Sequence, residues 1–171
     1  YLTQWMHALS RVSEETGQAV FHDWAVELAK SAHARFSTAD PAGGARRLVW
    51  KMSIDLGRAL VTSMGQHDPL DAWIAYLDLQ GGASATGALG RRALDSEIAE
   101  AEALCVGGQW ATDDALGIGS LLIAIFRPAR LRTRPGVTGP AEARLLEHLV
   151  AAARISLEAY PYGDPLGQPA E

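Results

Sequence analysis

The chain has 171 residues, of which 48% are hydrophobic and 20% charged, a composition that suits one folded domain and excludes a disordered chain. The net charge of −5 argues against nucleic acid as a partner. The single cysteine excludes an intrachain disulfide, and no stretch reaches the roughly 18 apolar residues of a membrane span, so we expect a cytoplasmic protein without membrane association.

Helical periodicity dominates the first 36 residues. Leu2, Trp5, Leu9 and Val12 recur at three- and four-residue steps as far as Gly17. A second apolar stripe follows, made of Phe21, Trp24, Ala25, Leu28, Ala32 and Phe36. The short connection at Gly17 predicts an antiparallel helical hairpin, with Trp5 and Trp24 in the core.

Four further helices are predicted, over residues 68–80, 95–106, 113–126 and 140–160. The third opens with Asp68 at the N-cap and Pro69 at the first helical position, and it places Trp73 in the core. The fifth is apolar on nearly every face, so we expect protein around it, and Pro128 is expected to end it. Three hairpins packed in two layers make an all-α domain over residues 1–160, and Pro and Gly in 161–171 indicate a flexible tail.

Residues 46–55 interrupt the helical pattern because their apolar residues alternate. Leu48, Trp50, Met52 and Ile54 fall on one side, and the other side carries Arg47, Val49, Lys51, Ser53 and Asp55. This period of two predicts a short extended segment with one buried face. The loop after this segment contains Gln66 and His67, and such polar, aromatic-rich connections usually lie where ligands bind.

The stretch "VWKMSIDLGRALVTSMGQHDPLDAWIAYLDLQ", with "FHDWAVELAKSAHARF" upstream, resembles the corresponding part of bacterial six-hairpin glycosidase-like proteins. The resemblance covers roughly the first eighty residues, and it implies an (α/α)6 toroid of paired inner and outer helices. A full toroid needs about twelve helices and this chain supplies about six, so we expect a fragment or a half completed by another chain. A first residue of Tyr1 rather than Met fits a piece of a longer protein.

Carbohydrate toroids act through two carboxylates that flank the scissile bond. We interpret Asp55 and Asp68 as the catalytic pair. The alternative for Asp68 is a helix cap, and the alternative for Asp55 is an ion pair with Lys51 or Arg58. Asp71 is interpreted as a first-turn acid that the helix dipole favours.

The predicted substrate-binding residues are Trp50, Lys51, Gln66, His67 and Trp110. Trp110 follows two glycines outside a helix and is expected to be an exposed platform, whereas Trp50 is expected in the core at the border of a pocket. We expect no metal and no cofactor, because His67 and Asp68 lack further ligands at a suitable spacing and no nucleotide motif is present.

These patterns favour a carbohydrate-active, glycosidase-like domain that acts on or binds a glycan. The alternative is a non-catalytic helical-hairpin module that binds a ligand or a protein. Half a toroid would leave inner helices uncovered. We therefore expect self-association, or docking with the rest of a longer chain, that buries Leu121, Leu122 and Ile125 from more than one side, the alternative being a compact bundle that closes on itself.

Overall fold

The computed structural model describes residues 1–39, 46–81, 93–131 and 140–160, so the predicted tail at 161–171 lies outside the described residues. The elements, in chain order, are α1 (Leu2–Thr16), α2 (Ala19–Phe36), β1 (Ser37–Thr38), β2 (Arg47–Leu48), β3 (Lys51–Met52), β4 (Ala59–Val61), α3 (Asp68–Gly81), α4 (Asp95–Cys105), α5 (Ala115–Leu131) and α6 (Pro140–Ala159). Helices hold 70% of the described residues, which confirms the all-α class. Within these residues, no helix combines the length and the apolar content needed to cross a bilayer.

The helices pack as chain neighbours, α1 against α2, α3 against α4 and α5 against α6. The connection between α1 and α2 shows why. Gly17 takes a left-handed conformation with φ 69°, and its N–H donates to the Ser13 carbonyl at 2.9 Å, which ends α1. Only Gln18 separates Gly17 from α2, so the chain must reverse at once.

Helix α3 is the centre of the domain, since it contacts α1, α2, α4 and α5. Trp73 is fully buried within it, and so are nearly all of its neighbours from Pro69 to Leu79. The prediction that protein surrounds the fifth helix does not hold within one chain. Among the described residues, α5 contacts mainly α3 and α6, and on its other faces Leu116, Ile123 and Phe126 are 82%, 54% and 60% exposed.

Helix α5 also continues through Pro128 to Leu131, so the prediction that this proline ends the helix was wrong. A proline inside a helix removes one backbone hydrogen bond and disturbs the preceding turn, but packing can offset that cost. Pro128 is among the most fully buried side chains of the domain, which provides such packing.

The buried face of α1 is displaced by one position from the predicted stripe, whereas that of α2 keeps the predicted Ala25 and Ala32 but excludes Trp24. Met6 and Ala25 are buried, whereas the adjacent Trp5 and Trp24 are 63% and 51% exposed, so their predicted core positions were wrong. The Trp24 ring instead packs edge-on against Phe21 at 5.4 Å. One helical position corresponds to about 100° of rotation, enough to move a side chain out of the core.

Two small antiparallel pairs replace the single extended segment. β1 pairs with β2 (Ser37 opposite Leu48), and β3 pairs with β4 (Lys51 opposite Val61) with a register irregularity between Lys51 and Met52. The chain bends between β2 and β3, and the alternation changes phase there. Val49 is buried and Trp50 is 54% exposed, the reverse of the predicted assignment, and Ile54 is fully exposed.

Candidate functional site

A cavity of about 460 Å³ opens where the first turn of α1, the end of α2, the segment from β2 to β3 and the start of α3 meet. Its polar and aromatic lining includes His33, Trp50, Lys51, Asp68, Asp71 and Tyr76. The volume lies within the range of small-ligand sites, and the lining is mainly apolar with a few polar groups.

The first turn of α3 supplies the acidic wall of this cavity. The Gly65 N–H donates to the Asp68 carboxylate at 2.7 Å, and the Asp68 N–H donates to the Gly65 carbonyl at 3.2 Å. The carboxylate thus reaches back to the residue before the helix, as the acidic partner of a capping box does. A Cβ on residue 65 would lie 2.8 Å from Asp68 Oδ1, so glycine is needed for this contact.

Asp71 follows Asp68 by three residues, so both carboxylates lie on one face of α3. Burial raises the pKa of the Asp71 carboxyl, the positive field of His67 opposes this shift, and the negative charge of Asp68 adds to it. Asp71 still keeps a large exposed surface at the cavity, so solvent limits the size of the shift.

Trp50 and Lys51 belong to a second wall of the cavity, at the bend between β2 and β3. The Val49 N–H donates to the Phe36 carbonyl and the Trp50 N–H to the Ser63 carbonyl, both at 2.9 Å, so backbone bonds hold this bend in place. The Lys51 ammonium lies 4.5 Å from the centre of the Trp50 ring, within the distance of a cation–π contact.

Two buried rings, His33 and Tyr76, complete the lining with an edge-to-face contact at 5.7 Å. His33 Nε2 lies 3.1 Å from a carboxylate oxygen of Glu100, which assigns the ring proton to Nε2 because a carboxylate only accepts. Arg46 Nε lies 3.5 Å from the same oxygen and donates to the Ser37 hydroxyl at 2.8 Å. These contacts fix the His33 ring from behind.

The structure places Asp55 in the turn between β3 and β4, outside the cavity lining. Its carboxylate accepts the Ser53 hydroxyl at 2.5 Å and the Gly57 N–H at 3.1 Å. These two hydrogen bonds lower the pKa of Asp55, the Ser53 bond contributing most. In this position Asp55 stabilises a hairpin turn in which Leu56 takes φ 56°.

The predicted exposed platform at Trp110 was wrong, because the side chain is only 2% exposed. Gly107 takes φ 77°, and Gly108 leaves room for the indole to fold back against the backbone. Trp110 lies 6.2 Å from the ring of His67, while the amide of Gln66 donates to the Gln109 carbonyl. These residues join the loop before α3 to the loop after α4 and do not line the cavity.

Three of the residues predicted from the sequence, Trp50, Lys51 and Asp68, therefore line one cavity, whereas Asp55, Gln66, His67 and Trp110 do not. Sequence reasoning missed Asp71, His33 and Tyr76 as members. The spacing of Asp71 three residues after Asp68 was a usable signal, since it places both on one helix face. For His33 and Tyr76 the sequence offered no signal beyond a place on a helix.

No protein-family model matches this chain, and neither does any curated protein or solved structure. In the part of the chain that the structure describes, no group of three or more His, Cys, Asp or Glu side chains could hold a metal ion.

Proposed function

We propose that the cavity binds a carbohydrate. The observation that carries this proposal is that a half-exposed tryptophan ring and two carboxylates line the same cavity of about 460 Å³. A sugar has an apolar ring face that packs on an aromatic side chain and hydroxyl groups that donate to carboxylates. Trp50 supplies the first kind of contact, and Asp68 and Asp71 supply the second.

Membership of the six-hairpin glycosidase-like proteins remains part of the proposal. The packing of helices as three chain-neighbour pairs supports it, because that is the repeating unit of an (α/α)6 toroid. The site also lies at the ends of helices and in the loops between them, where ligands usually bind in helical-hairpin proteins. The further hairpins that complete the ring would come from a second chain or from the rest of a longer chain.

A second candidate is hydrolysis of the bound glycoside, favoured by the pKa of Asp71. A general acid must stay protonated near neutral pH, and burial raises the pKa of Asp71 in that direction. In this candidate the catalytic pair consists of Asp68, which was predicted from the sequence, and Asp71, which replaces Asp55. The hydrogen bond from Gly65 to Asp68 instead fits a non-catalytic binding module, because it assigns that carboxylate to the helix start.

The experiment is a panel of simple glycosides tested for binding by calorimetry and for hydrolysis by released sugar. We expect Trp50→Leu to weaken binding by about tenfold, since an aromatic contact contributes about 0.5–1.5 kcal/mol beyond its buried area. Trp24→Leu is the matched control, because Trp24 is similarly exposed and lies outside the cavity. Equal affinities for the two variants would contradict the proposal, and hydrolysis that Asp71→Asn abolishes would establish the second candidate.

Self-association through α5 is the proposed partner interaction. Leu121 is already buried within one chain and Ile125 partly so, whereas Leu122 is 43% exposed and lies near the exposed Ile123 and Phe126. A second copy that covers this surface would remove apolar area from water on the side that α3 and α6 leave open.

A further inference from the structure

The charged lining of the cavity is asymmetric. Asp68 and Asp71 contribute two carboxylates on one face of α3, and the positive groups, the Lys51 ammonium and the amino group of Tyr1, come from other segments. His33 faces Glu100 behind the cavity through its Nε2. Negative charge is therefore concentrated on the wall of the cavity that α3 forms.

The Asp71 carboxylate has acceptor positions that the described residues do not occupy. Asp68 accepts the Gly65 N–H, but within the described residues no hydrogen bond or ion pair engages the Asp71 carboxylate. A carboxylate accepts at about four positions. Burial contributes most to the raised pKa of Asp71 and Asp68 adds to it, whereas His67, the amino group of Tyr1 and Arg127 of α5 oppose the shift. A carboxylate in this position is stabilised by a cation that enters the cavity.

The Trp50 ring already holds a cation against its face. The Lys51 ammonium lies 4.5 Å from the ring centre, and Lys51 is itself exposed. Its side chain is long and flexible, so it can turn into solvent when a ligand arrives. The ring face is then open to a ligand that carries an apolar surface next to a positive charge.

From these contacts we infer that the cavity prefers a sugar that carries a protonated amine, an amino sugar, to the same sugar with a hydroxyl group in that position. This inference rests on the proposed carbohydrate-binding function and specifies its ligand class. The ammonium group donates to Asp71 and to the remaining acceptor positions of Asp68, while the ring packs on Trp50. A neutral hydroxyl can donate to the same carboxylates, but it lacks the charge–charge attraction that a protonated amine adds.

The test compares three methyl glycosides of one hexose by calorimetry, below the pKa of the amine: the 2-amino, the 2-hydroxy and the 2-acetamido forms. We expect the amino form to bind about tenfold or more tightly than the other two. Asp71→Asn keeps the shape and removes the charge, so it should reduce this preference to about twofold or less. Asp113→Asn, a change at an exposed carboxylate outside the cavity, should leave the preference intact.

The outcomes separate the two proposals. If the hydroxy and amino forms bind with equal affinity, and Trp50→Leu weakens both, the inference is wrong and the carbohydrate site stands. If the amino preference survives in Asp71→Asn, Asp71 does not provide it and the inference is wrong. If the preference disappears equally in Asp113→Asn, it comes from the general negative charge of the protein and the inference is wrong as well. If no form binds, both the inference and the proposed function are wrong.

Discussion

Gly108 lies directly against the indole of Trp110, and this contact leaves no room for a side chain. A Cβ on residue 108 would overlap Cζ2 of Trp110 and lie 2.5 Å from Cε2. We expect Gly108→Ala to lower the free energy of unfolding by about 1–3 kcal/mol, the usual cost of an overpacked core, measured by urea denaturation.

Gly119→Ala is the matched control for that substitution. Gly119 lies inside α5, and a Cβ there meets no atom within 4 Å. Replacing glycine by alanine in a helix interior should raise the free energy of unfolding by about 0.5–1 kcal/mol. A Gly108→Ala protein as stable as the unchanged chain would show that the Trp110 indole does not pack against Gly108.

Between elements, Asp78 of α3 and Arg127 of α5 form a contact of 3.7 Å in a partly buried position. Burial raises the pKa of Asp78 to about 6, Arg127 opposes the shift and Glu14 of α1 adds to it. The folded protein therefore binds this proton more tightly than the unfolded chain does. Above a pH of about 6, ionised Asp78 lowers the free energy of unfolding. This effect disappears as the pH falls toward about 4, the pKa of an Asp side chain in the unfolded chain.

We accordingly expect Asp78→Asn to be more stable than the unchanged chain at neutral pH, by on the order of 1 kcal/mol. The difference should shrink as pH falls from about 6 to about 4, because Asp78 becomes protonated in both states of the unchanged chain. Denaturation curves across this range measure it, with the exposed Asp113→Asn as the control that should show no such trend. A less stable Asp78→Asn protein at neutral pH would mean that the attraction to Arg127 exceeds the cost of burial.

At the scale of the whole molecule, α5 exposes an apolar stripe. Leu116, Ile123 and Phe126 recur at seven- and three-residue spacing, and each is more than half exposed. We expect the chain to sediment as a dimer or larger species at micromolar concentration. The double variant Ile123→Ser, Phe126→Ser should shift it toward monomer without loss of stability, because both side chains already face solvent in one chain.

Ile54→Ser is the control for the association experiment, since Ile54 is fully exposed at the turn between β3 and β4, far in sequence from α5. It should leave the sedimentation profile unchanged. A monomeric unchanged chain that binds no hydrophobic dye would instead favour the compact bundle that closes on itself.

Most helix positions follow from local sequence features, and the sequence-based prediction was accurate for them, although α5 continues past Pro128. Gly17 ends α1 because glycine takes a left-handed conformation easily, and Asp68-Pro69 opens α3 because both residues suit the first turn. The pairing of neighbouring helices follows from such short connections. The membership of Trp50, Lys51 and Asp68 in one cavity was also within reach, since an extended, aromatic-bearing segment precedes a helix that begins with a carboxylate.

Sequence by itself therefore determined the all-α class, most helix ends and part of the candidate site. Only the tertiary structure decided which face of each helix is buried, that α3 rather than α5 is central, and that Trp110 is inside while Trp5 and Trp24 are outside. The physical reason is that a broad apolar stripe does not fix the rotation of a helix about its axis to better than about 100°, which corresponds to one residue. Packing against neighbouring helices selects one of these rotations. The cavity also depends on how the helices are rotated and packed. Their packing brings Asp71 and Trp50, which are distant in sequence from α2, beside the end of that helix.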